Sequence, residues 1–85
     1  MFVDVRGDEL YNTGHIPGAL SIADTEMDSR FTELDPNAWI ILYCTWPAEE
    51  SSARAATVLL ARGFTNVSAL KGGLQLWQQT GYPME

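Results

Sequence analysis

The chain has 85 residues, of which 46% are hydrophobic, so it can bury the core of one small domain and is not a disordered chain. With 11 acidic and only five lysine and arginine side chains it carries a net charge of −6, which argues against nucleic acid as a partner. A solvated acidic surface is the interpretation we favour for this charge, and a basic protein partner is the alternative.

The sequence shows no feature of a membrane or secreted protein. No apolar run approaches the ~20 residues that cross a bilayer, and no basic-then-apolar signal segment opens the chain. The single cysteine cannot form an internal disulfide, which fits a reducing compartment. We therefore expect a cytoplasmic protein that does not insert into a membrane.

The first half of the chain contains one predicted strand and several turns. Residues 2–5 (FVDV) are short and β-prone, which predicts a strand, and residues 8–11 are predicted to form one helical turn. Residues 14–19 (GHIPGA) predict a turn, because proline fixes φ and glycine permits positive φ. Residues 24–34 are weakly helical, and residues 35–37 (DPN) form a second turn.

Residues 39–43 (WIILY) form a continuous apolar run of strand length. Such a run is typical of a strand that is buried on both faces of a sheet. We therefore expect Trp39 to lie in the core, and we expect the same of Trp77.

A helix is predicted from the end of the next loop to Arg62, with Gly63 as its C′ residue. Its apolar positions at helical spacing are Ala53, Ala56, Leu59 and Leu60. Two starts are open. Pro47 suits the first helical turn, whereas Ser51 or Ser52 suits the N-cap.

The last third of the chain repeats the alternation of strand and helix. Residues 67–70 predict a strand, residues 71–73 a turn, and residues 74–80 a helix that Gly81 ends. The whole pattern predicts an α/β fold with a small, open, mostly parallel sheet that is flanked by helices.

The single cysteine, Cys44, follows the predicted central strand and precedes a helix. In open α/β sheets ligands bind beyond the carboxyl ends of the strands, and a thiolate there is a candidate nucleophile. At an assumed ~8 Å, Glu49 and Glu50 each cost the thiolate about 0.5 kcal/mol. An exposed helix N-terminus returns about 0.3–1 kcal/mol. Strong activation therefore requires loop amides that point at the sulfur.

Several segments resemble, in the same order, those of the rhodanese-like (sulfurtransferase) domain family. They are residues 3–6 (VDVR), 14–19 (GHIPGA), 43–44 (YC), 52–56 (SARAA) and 70–73 (LKGG), followed by Trp77. The resemblance implies that Cys44 attacks a sulfane-sulfur donor, becomes a persulfide, and passes the outer sulfur to an acceptor thiol or cyanide. It also implies a loop whose amides surround the sulfur, formed here by Thr45, Trp46, Pro47, Ala48, Glu49, Glu50 and Ser51. Because such a loop precedes the helix, the resemblance favours the N-cap at Ser51 or Ser52 over a helix start near Pro47.

The predicted loop departs from the family in length and in charge. Seven residues lie between Cys44 and Ser52, whereas the usual enzyme loop has five. The usual loop often carries an arginine or lysine, whereas this one has Glu49 and Glu50. This charge disfavours thiosulfate and favours a neutral or protein-bound persulfide as donor. The family also commonly has a strand and a helix before the strand that opens this chain. Residues 1–85 are therefore expected to form one rhodanese-like domain that is either a minimal member of the family or lacks this front part.

Three polar residues near the predicted turn could form a catalytic set, namely Asp4, Arg6 and His15. We favour a hydrogen-bonded structural cluster, because buried polar groups are usually paired. A dyad of Cys44 and His15 is the alternative, and it requires a proximity that sequence does not show.

Other residues flank the predicted site. Arg54 is expected to form a surface ion pair, and Gly72 and Gly73 are expected to let the backbone pass close to the loop. Trp46 is either a lid or a partner contact. No cofactor is expected, and no metal, because one cysteine and one histidine make a poor zinc site.

Three functions compete. The first is a sulfurtransferase or persulfide carrier that takes sulfur from a small donor or a protein persulfide. The second is a cysteine phosphatase or arsenate reductase, but these enzymes use a Cys-x5-Arg loop and Glu50 occupies the arginine position here. The third is a non-enzymatic interaction or regulatory module on the same scaffold, with Trp46 and the acidic loop as its contact surface.

Overall fold

The computed structural model describes residues 1–45, 50–70 and 72–85, so predictions for Trp46 to Glu49, for Lys71 and for the Glu50 side chain lie outside the described residues. The described chain contains one parallel sheet with the strand order β2-β1-β3-β4. Its strands are β1 (Phe2–Asp4), β2 (Leu20–Ser21), β3 (Ile40–Tyr43) and β4 (Val67–Ala69). The predicted α/β class and the parallel sheet are confirmed.

Helices connect the strands. They are α1 (Asp8–Thr13), α2 (Met27–Arg30), α3 (Glu50–Ala61) and α4 (Gly73–Gln79), with 3-10 turns at Asp24–Glu26 and Phe31–Glu33. The weakly helical region 24–34 is thus three short pieces rather than one helix. Across the described ranges, no helix is both long and apolar enough to cross a membrane.

The predicted turn at residues 14–19 is confirmed and is attached to the central strand. Ala19 N–H donates to the carbonyl of Ile16 at 3.0 Å, and Gly18 has the positive φ of 81° that this turn requires. Ile16 N–H donates to the Tyr43 hydroxyl at 3.1 Å. The turn therefore lies against the carboxyl end of β3.

The core lies on both faces of the sheet, because successive side chains of a strand point to opposite faces. Ile40 and Leu42 pack on the α3 side with Ala55 and Leu59. Tyr43 packs on the other side with a second cluster, which contains Ile16, Ala19 and Leu74. The prediction that the central strand is buried on both faces is therefore confirmed.

The expectation that Trp39 lies in the core is wrong. Its side chain is 61% exposed, and its indole N–H donates to Ser68 Oγ at 3.2 Å. Trp39 precedes the first residue of β3 at the amino end of the sheet, whereas α4 packs near Tyr43 at the carboxyl end. Trp77 is half-buried, with its ring centroid 5.5 Å from that of Phe2.

Helix α3 begins at Glu50, so Ser51 and Ser52 belong to its first turn and the N-cap prediction for them is wrong. Its end is as predicted. Gly63 has φ 93°, and the N–H groups of Gly63 and Phe64 donate to Leu60 and Leu59 carbonyls at 3.2 and 3.1 Å. This pair of bonds is a Schellman motif.

The buried stripe of α3 differs from the predicted one. Ser52, Ala55 and Leu59 are buried at helical spacing, whereas Ala53 and Leu60 are exposed. The stripe therefore brings a serine hydroxyl to the carboxyl end of β3.

Candidate active site

Cys44 follows β3 directly and lies at the carboxyl edge of the sheet, as the sequence pattern predicts. Its side chain is buried, with 3% exposure, and its Sγ lies 3.0 Å from the hydroxyl oxygen of Ser52. A serine hydroxyl can donate to a thiolate, and a hydrogen bond to the charged form favours that form. The first turn of α3 therefore contributes a donor at the sulfur.

Two backbone N–H groups of α4 hold the backbone of Cys44 and of the next residue. Leu74 N–H donates to the Cys44 carbonyl at 2.9 Å, and Gln75 N–H donates to the Thr45 carbonyl at 3.0 Å. The chain reaches this position through Gly72 and Gly73, whose φ values are 81° and 62°. Left-handed backbone at both residues turns α4 onto the strand end.

Replacing Gly72 with alanine is expected to destabilise the domain more than replacing Gly18. Both glycines have a φ of 81°, so each alanine bears the left-handed penalty of about 1–2 kcal/mol. A Cβ on Gly72 would also overlap the Leu76 side chain, whereas a Cβ on Gly18 meets no atom within 4 Å. The overlap should add about 1–3 kcal/mol, measured as the difference between the two variants in urea unfolding. Equal losses would contradict this account.

Asp4 and Arg6 form a buried ion pair, with side chains 0% and 7% exposed. Arg6 Nε donates to both carboxylate oxygens at 2.9 and 3.0 Å, and Nη2 donates to Oδ2 at 2.7 Å. Nη2 also donates to the Gly14 carbonyl at 2.7 Å. The pair thus joins β1 to the residue that opens the 14–19 turn.

Burial opposes the charge of Arg6, but hydrogen bonds and Coulomb attraction from Asp4 outweigh it, and smaller contributions from Tyr43 and Cys44 add to them. The pKa of Arg6 is therefore raised, and its guanidinium stays charged. The contribution from Cys44 is the smallest of these, so the electrostatic interaction between Arg6 and the thiol is weak.

The Tyr43 hydroxyl, one residue before Cys44, is buried at the carboxyl end of β3. Burial raises the pKa of the Tyr43 hydroxyl, and the Asp4 carboxylate raises it further against the opposing hydrogen bond from Ile16. The hydroxyl therefore remains protonated across the physiological range. Its role is to hold the 14–19 turn against the strand end.

His15 contacts Tyr11 and Glu85. Its Nδ1 lies 2.9 Å from the Tyr11 carbonyl, its ring stacks on that of Tyr11 with centroids 3.7 Å apart, and its Nε2 lies 3.3 Å from Glu85 Oε1. Among the contacts of the described residues, none joins His15 to Cys44. The geometry therefore favours the structural cluster over the dyad.

Arg54 forms an ion pair on the surface. Its side chain is 60% exposed, and Nε and Nη2 donate to Asp24 Oδ2 at 3.0 and 2.7 Å. Of the predicted loop, Thr45 lies next to the cysteine and Ser51 lies in the first turn of α3. Within residues 1–45, 50–70 and 72–85, no group of three potential metal ligands is close enough to bind an ion.

The comparisons with known proteins agree with this architecture. The profile of the rhodanese-like domain family matches residues 1–80. A thiosulfate sulfurtransferase GlpE of Pseudomonas fluorescens is 36% identical over 83 residues, which are 98% of this chain and 73% of that protein. An HTH-type transcriptional regulator of Mycobacterium tuberculosis is 34% identical over 98% of this chain, which corresponds to 36% of the regulator.

Solved structures give the same result. The Rhodanese_3 like domain of an Anabaena protein has a TM-score of 0.90 and 35% identity, covering 100% of this chain and 97% of the other. A Bacillus halodurans protein has a TM-score of 0.91 and 34% identity, covering 100% and 62%. The chain belongs to the rhodanese-like domain family.

Two residues of the site were not predicted from the sequence, namely Ser52 as the partner of the thiol and Tyr43 as the anchor of the turn. The sequence contained a signal for the burial of Ser52, because this residue shares the helical spacing of Ala55 and Leu59. The sequence contained no signal for the role of Tyr43, because its hydroxyl accepts a hydrogen bond from Ile16, which lies 27 positions away in the chain.

Proposed function

We propose that this domain is a sulfurtransferase or persulfide carrier in which Cys44 is the nucleophile. The observation that supports it most is the position of the Cys44 sulfur, at the carboxyl edge of the parallel sheet and 3.0 Å from the Ser52 hydroxyl. Membership of the rhodanese-like family and the similarity to proteins named thiosulfate sulfurtransferase support the same chemistry.

The reaction has two displacement steps. The Cys44 thiolate attacks the outer sulfur of a persulfide RSSH, so a new S–S bond forms while the RS–S bond breaks and RSH leaves with the proton. The Cys44 persulfide remains. An acceptor thiolate then attacks the outer sulfur, and the bond to Cys44 breaks to restore its thiolate. With thiosulfate as donor the leaving group is sulfite. Sulfur is transferred without an external oxidant or reductant.

The described residues would assist in different ways. The Ser52 hydroxyl would donate a hydrogen bond to the Cys44 thiolate before it attacks the donor. It would donate again to the Cys44 thiolate that is restored when the acceptor removes the outer sulfur. The amino end of α3, a helix of 12 residues, favours negative charge. Leu74 and Gln75 hold the backbone of the cysteine and of the next residue in place.

The sequence of the loop suggests the kind of donor. Glu49 and Glu50 stand where family members often have a cation, so a small dianion meets like charge. We therefore propose a neutral or protein-bound persulfide as donor, a thiol as acceptor, and a basic protein as the partner that bears one of them.

Intact mass of the reduced protein tests the proposed function. Wild type is exposed briefly to thiosulfate and, separately, to glutathione persulfide, with Cys44→Ser as the control. The expected result is one added sulfur on the wild type alone, with glutathione persulfide as the better donor. No added sulfur from either donor would sink the proposal and favour an interaction module. Capture of one partner equally by wild type and Cys44→Ser would then identify that module.

The double variant Glu49→Gln and Glu50→Gln is expected to react faster with thiosulfate. At an assumed ~8 Å, removing two carboxylates that face a dianion relieves about 2 kcal/mol of repulsion, or roughly a thirtyfold change in rate. The rate with glutathione persulfide should change less. The measurement is the initial rate against donor concentration, followed as sulfite release from thiosulfate and as glutathione release from glutathione persulfide. An unchanged or slower rate with thiosulfate would count against the role assigned to the glutamates.

A further inference from the structure

A groove of about 560 Å³ lies between the first half of α3 and the 3-10 turn at Asp24–Glu26. We call it the α3 groove, and its lining residues are Asp24, Thr25, Ala53, Arg54, Thr57 and Val58. Small-molecule sites commonly enclose ~300–1,000 Å³. The α3 groove therefore has the size of a site for a ligand such as a short peptide.

The α3 groove lies at the same edge of the sheet as Cys44. Ala53 lines it and directly follows Ser52, whose hydroxyl lies 3.0 Å from the Cys44 sulfur. On the opposite wall, Asp24 N–H donates at 3.2 Å to the carbonyl of Val5, the residue that follows β1. Both walls therefore belong to the carboxyl edge, where the thiol is.

Arg54 and Asp24 present both signs of charge in the α3 groove. Arg54 Nε and Nη2 donate to Asp24 Oδ2 at 3.0 and 2.7 Å, while the two side chains remain 60% and 12% exposed. A guanidinium has five N–H donors and can bind a ligand carboxylate, and a carboxylate can accept from a ligand ammonium. The pair therefore matches an α-amino-acid headgroup, which bears a carboxylate and an ammonium on one carbon.

Arg54 differs in position from the other arginine that follows from α3. Helix α3 begins beside Cys44 and returns towards the amino edge of the sheet, because it connects two parallel strands. Arg62 follows its last residue and pairs with Asp28, about 12 Å farther along the helix axis than Arg54. Of these two exposed arginines, Arg54 is the one that a donor at the thiol can reach.

We propose that the α3 groove binds the γ-glutamyl end of a glutathione-type persulfide, so that Arg54 holds the carboxylate of the headgroup and Asp24 its ammonium. The inference rests on the proposed sulfur transfer at Cys44 and names the small donor of that reaction. Such a donor carries net negative charge, and the chain carries −6, so a cation beside the site offsets part of the repulsion.

The length of the donor agrees with this placement. Helix geometry puts the Arg54 guanidinium on the order of 10 Å from the Ser52 hydroxyl. In a γ-glutamylcysteine chain, seven bonds separate the sulfur from the α-carbon of the glutamyl headgroup, a span of about 9 Å when extended. In a cysteine persulfide the headgroup is two bonds from the sulfur, so it is too short to reach Arg54 while the sulfur is at Cys44.

The rate of sulfur loading against donor concentration tests the site with two donors, glutathione persulfide and cysteinylglycine persulfide. The second donor lacks only the glutamyl residue. Arg54→Gln should raise the half-saturating concentration of glutathione persulfide at least about tenfold and change the saturating rate less than about twofold. The half-saturating concentration of cysteinylglycine persulfide should stay within about twofold of the wild type. Asp24→Asn should act in the same direction as Arg54→Gln.

Two further variants serve as controls. Arg62→Gln makes the same change in the ion pair with Asp28 at the other end of α3, and it should leave the loading from both donors unchanged. Arg54→Lys keeps the positive charge and should recover part of the affinity that Arg54→Gln loses. Equal effects of Arg54→Gln on both donors would overturn the inference, because they would indicate long-range attraction rather than binding of the headgroup.

S-methylglutathione separates the α3 groove from the sulfur chemistry, because it carries the same headgroup and transfers no sulfur. In a nuclear magnetic resonance titration it should shift the amide signals of Ala53 and Arg54 in the wild type, and it should bind Arg54→Gln at least about tenfold more weakly. No binding, or equal binding to both proteins, would overturn the inference. If S-methylglutathione binds as expected and neither persulfide loads sulfur, the proposed function fails and the groove stands as a binding site for the headgroup.

Discussion

Replacing Asp4 with asparagine is expected to lower the free energy of unfolding by about 3–5 kcal/mol. The variant keeps the shape of the side chain but removes the charge that Arg6 is buried against, since these side chains are 0% and 7% exposed. A domain has only about 5–15 kcal/mol in total, so the thermal midpoint should fall by roughly 15–30 °C. Far-ultraviolet circular dichroism during heating and in urea measures both quantities.

The matched control is Glu33→Gln, which makes the same change in an exposed ion pair. Glu33 and its partner Arg30 are 48% and 31% exposed, so solvent screens their attraction. The midpoint should stay within experimental error of the wild type. If the thermal midpoint of Asp4→Asn falls no further than that of Glu33→Gln, the buried pair does not stabilise the fold.

Much of the fold follows from local signals in the sequence. The apolar run at residues 39–43 predicts the central strand, and Gly63 predicts the end of α3, because both depend on residues that are close in the chain. The exposure of Trp39 could not be predicted from such local signals. Whether the first residue of an apolar run is covered depends on where α4 packs, and that contact is distant in sequence.

The candidate site was predictable in position but not in its contacts. The alternation of strand and helix places Cys44 at the carboxyl edge of the sheet. The start of α3 was misplaced because two serines resemble N-caps, whereas one of them is needed on the buried stripe. Tertiary packing overrode the capping preference, so the thiol gained the Ser52 hydroxyl as its partner.

Ser52→Ala is expected to move the pH at which the Cys44 thiol becomes reactive upward by about 1–2 units. A hydrogen bond to a charged group contributes about 1.5–3 kcal/mol, and 1.36 kcal/mol corresponds to one pKa unit. The pKa of the thiol should rise because the variant loses a donor that favours the thiolate. At about pH 7 the thiolate fraction, and with it the rate of sulfur loading, should therefore fall by up to about tenfold for each unit of that rise, and at a pH above the pKa of both proteins the rates should converge.

The pH profile of alkylation by iodoacetamide separates this effect from a loss of structure. Alanine suits the first turn of a helix, so the thermal midpoint should change little at a pH where the thiol is protonated. Ser51→Ala removes the neighbouring hydroxyl of the same turn and should leave the profile where it is in the wild type. If Ser52→Ala has an unshifted profile, or if Ser51→Ala shifts it equally, the Ser52 hydroxyl does not stabilise the thiolate. The activation of Cys44 would then come from backbone amides and the helix terminus alone.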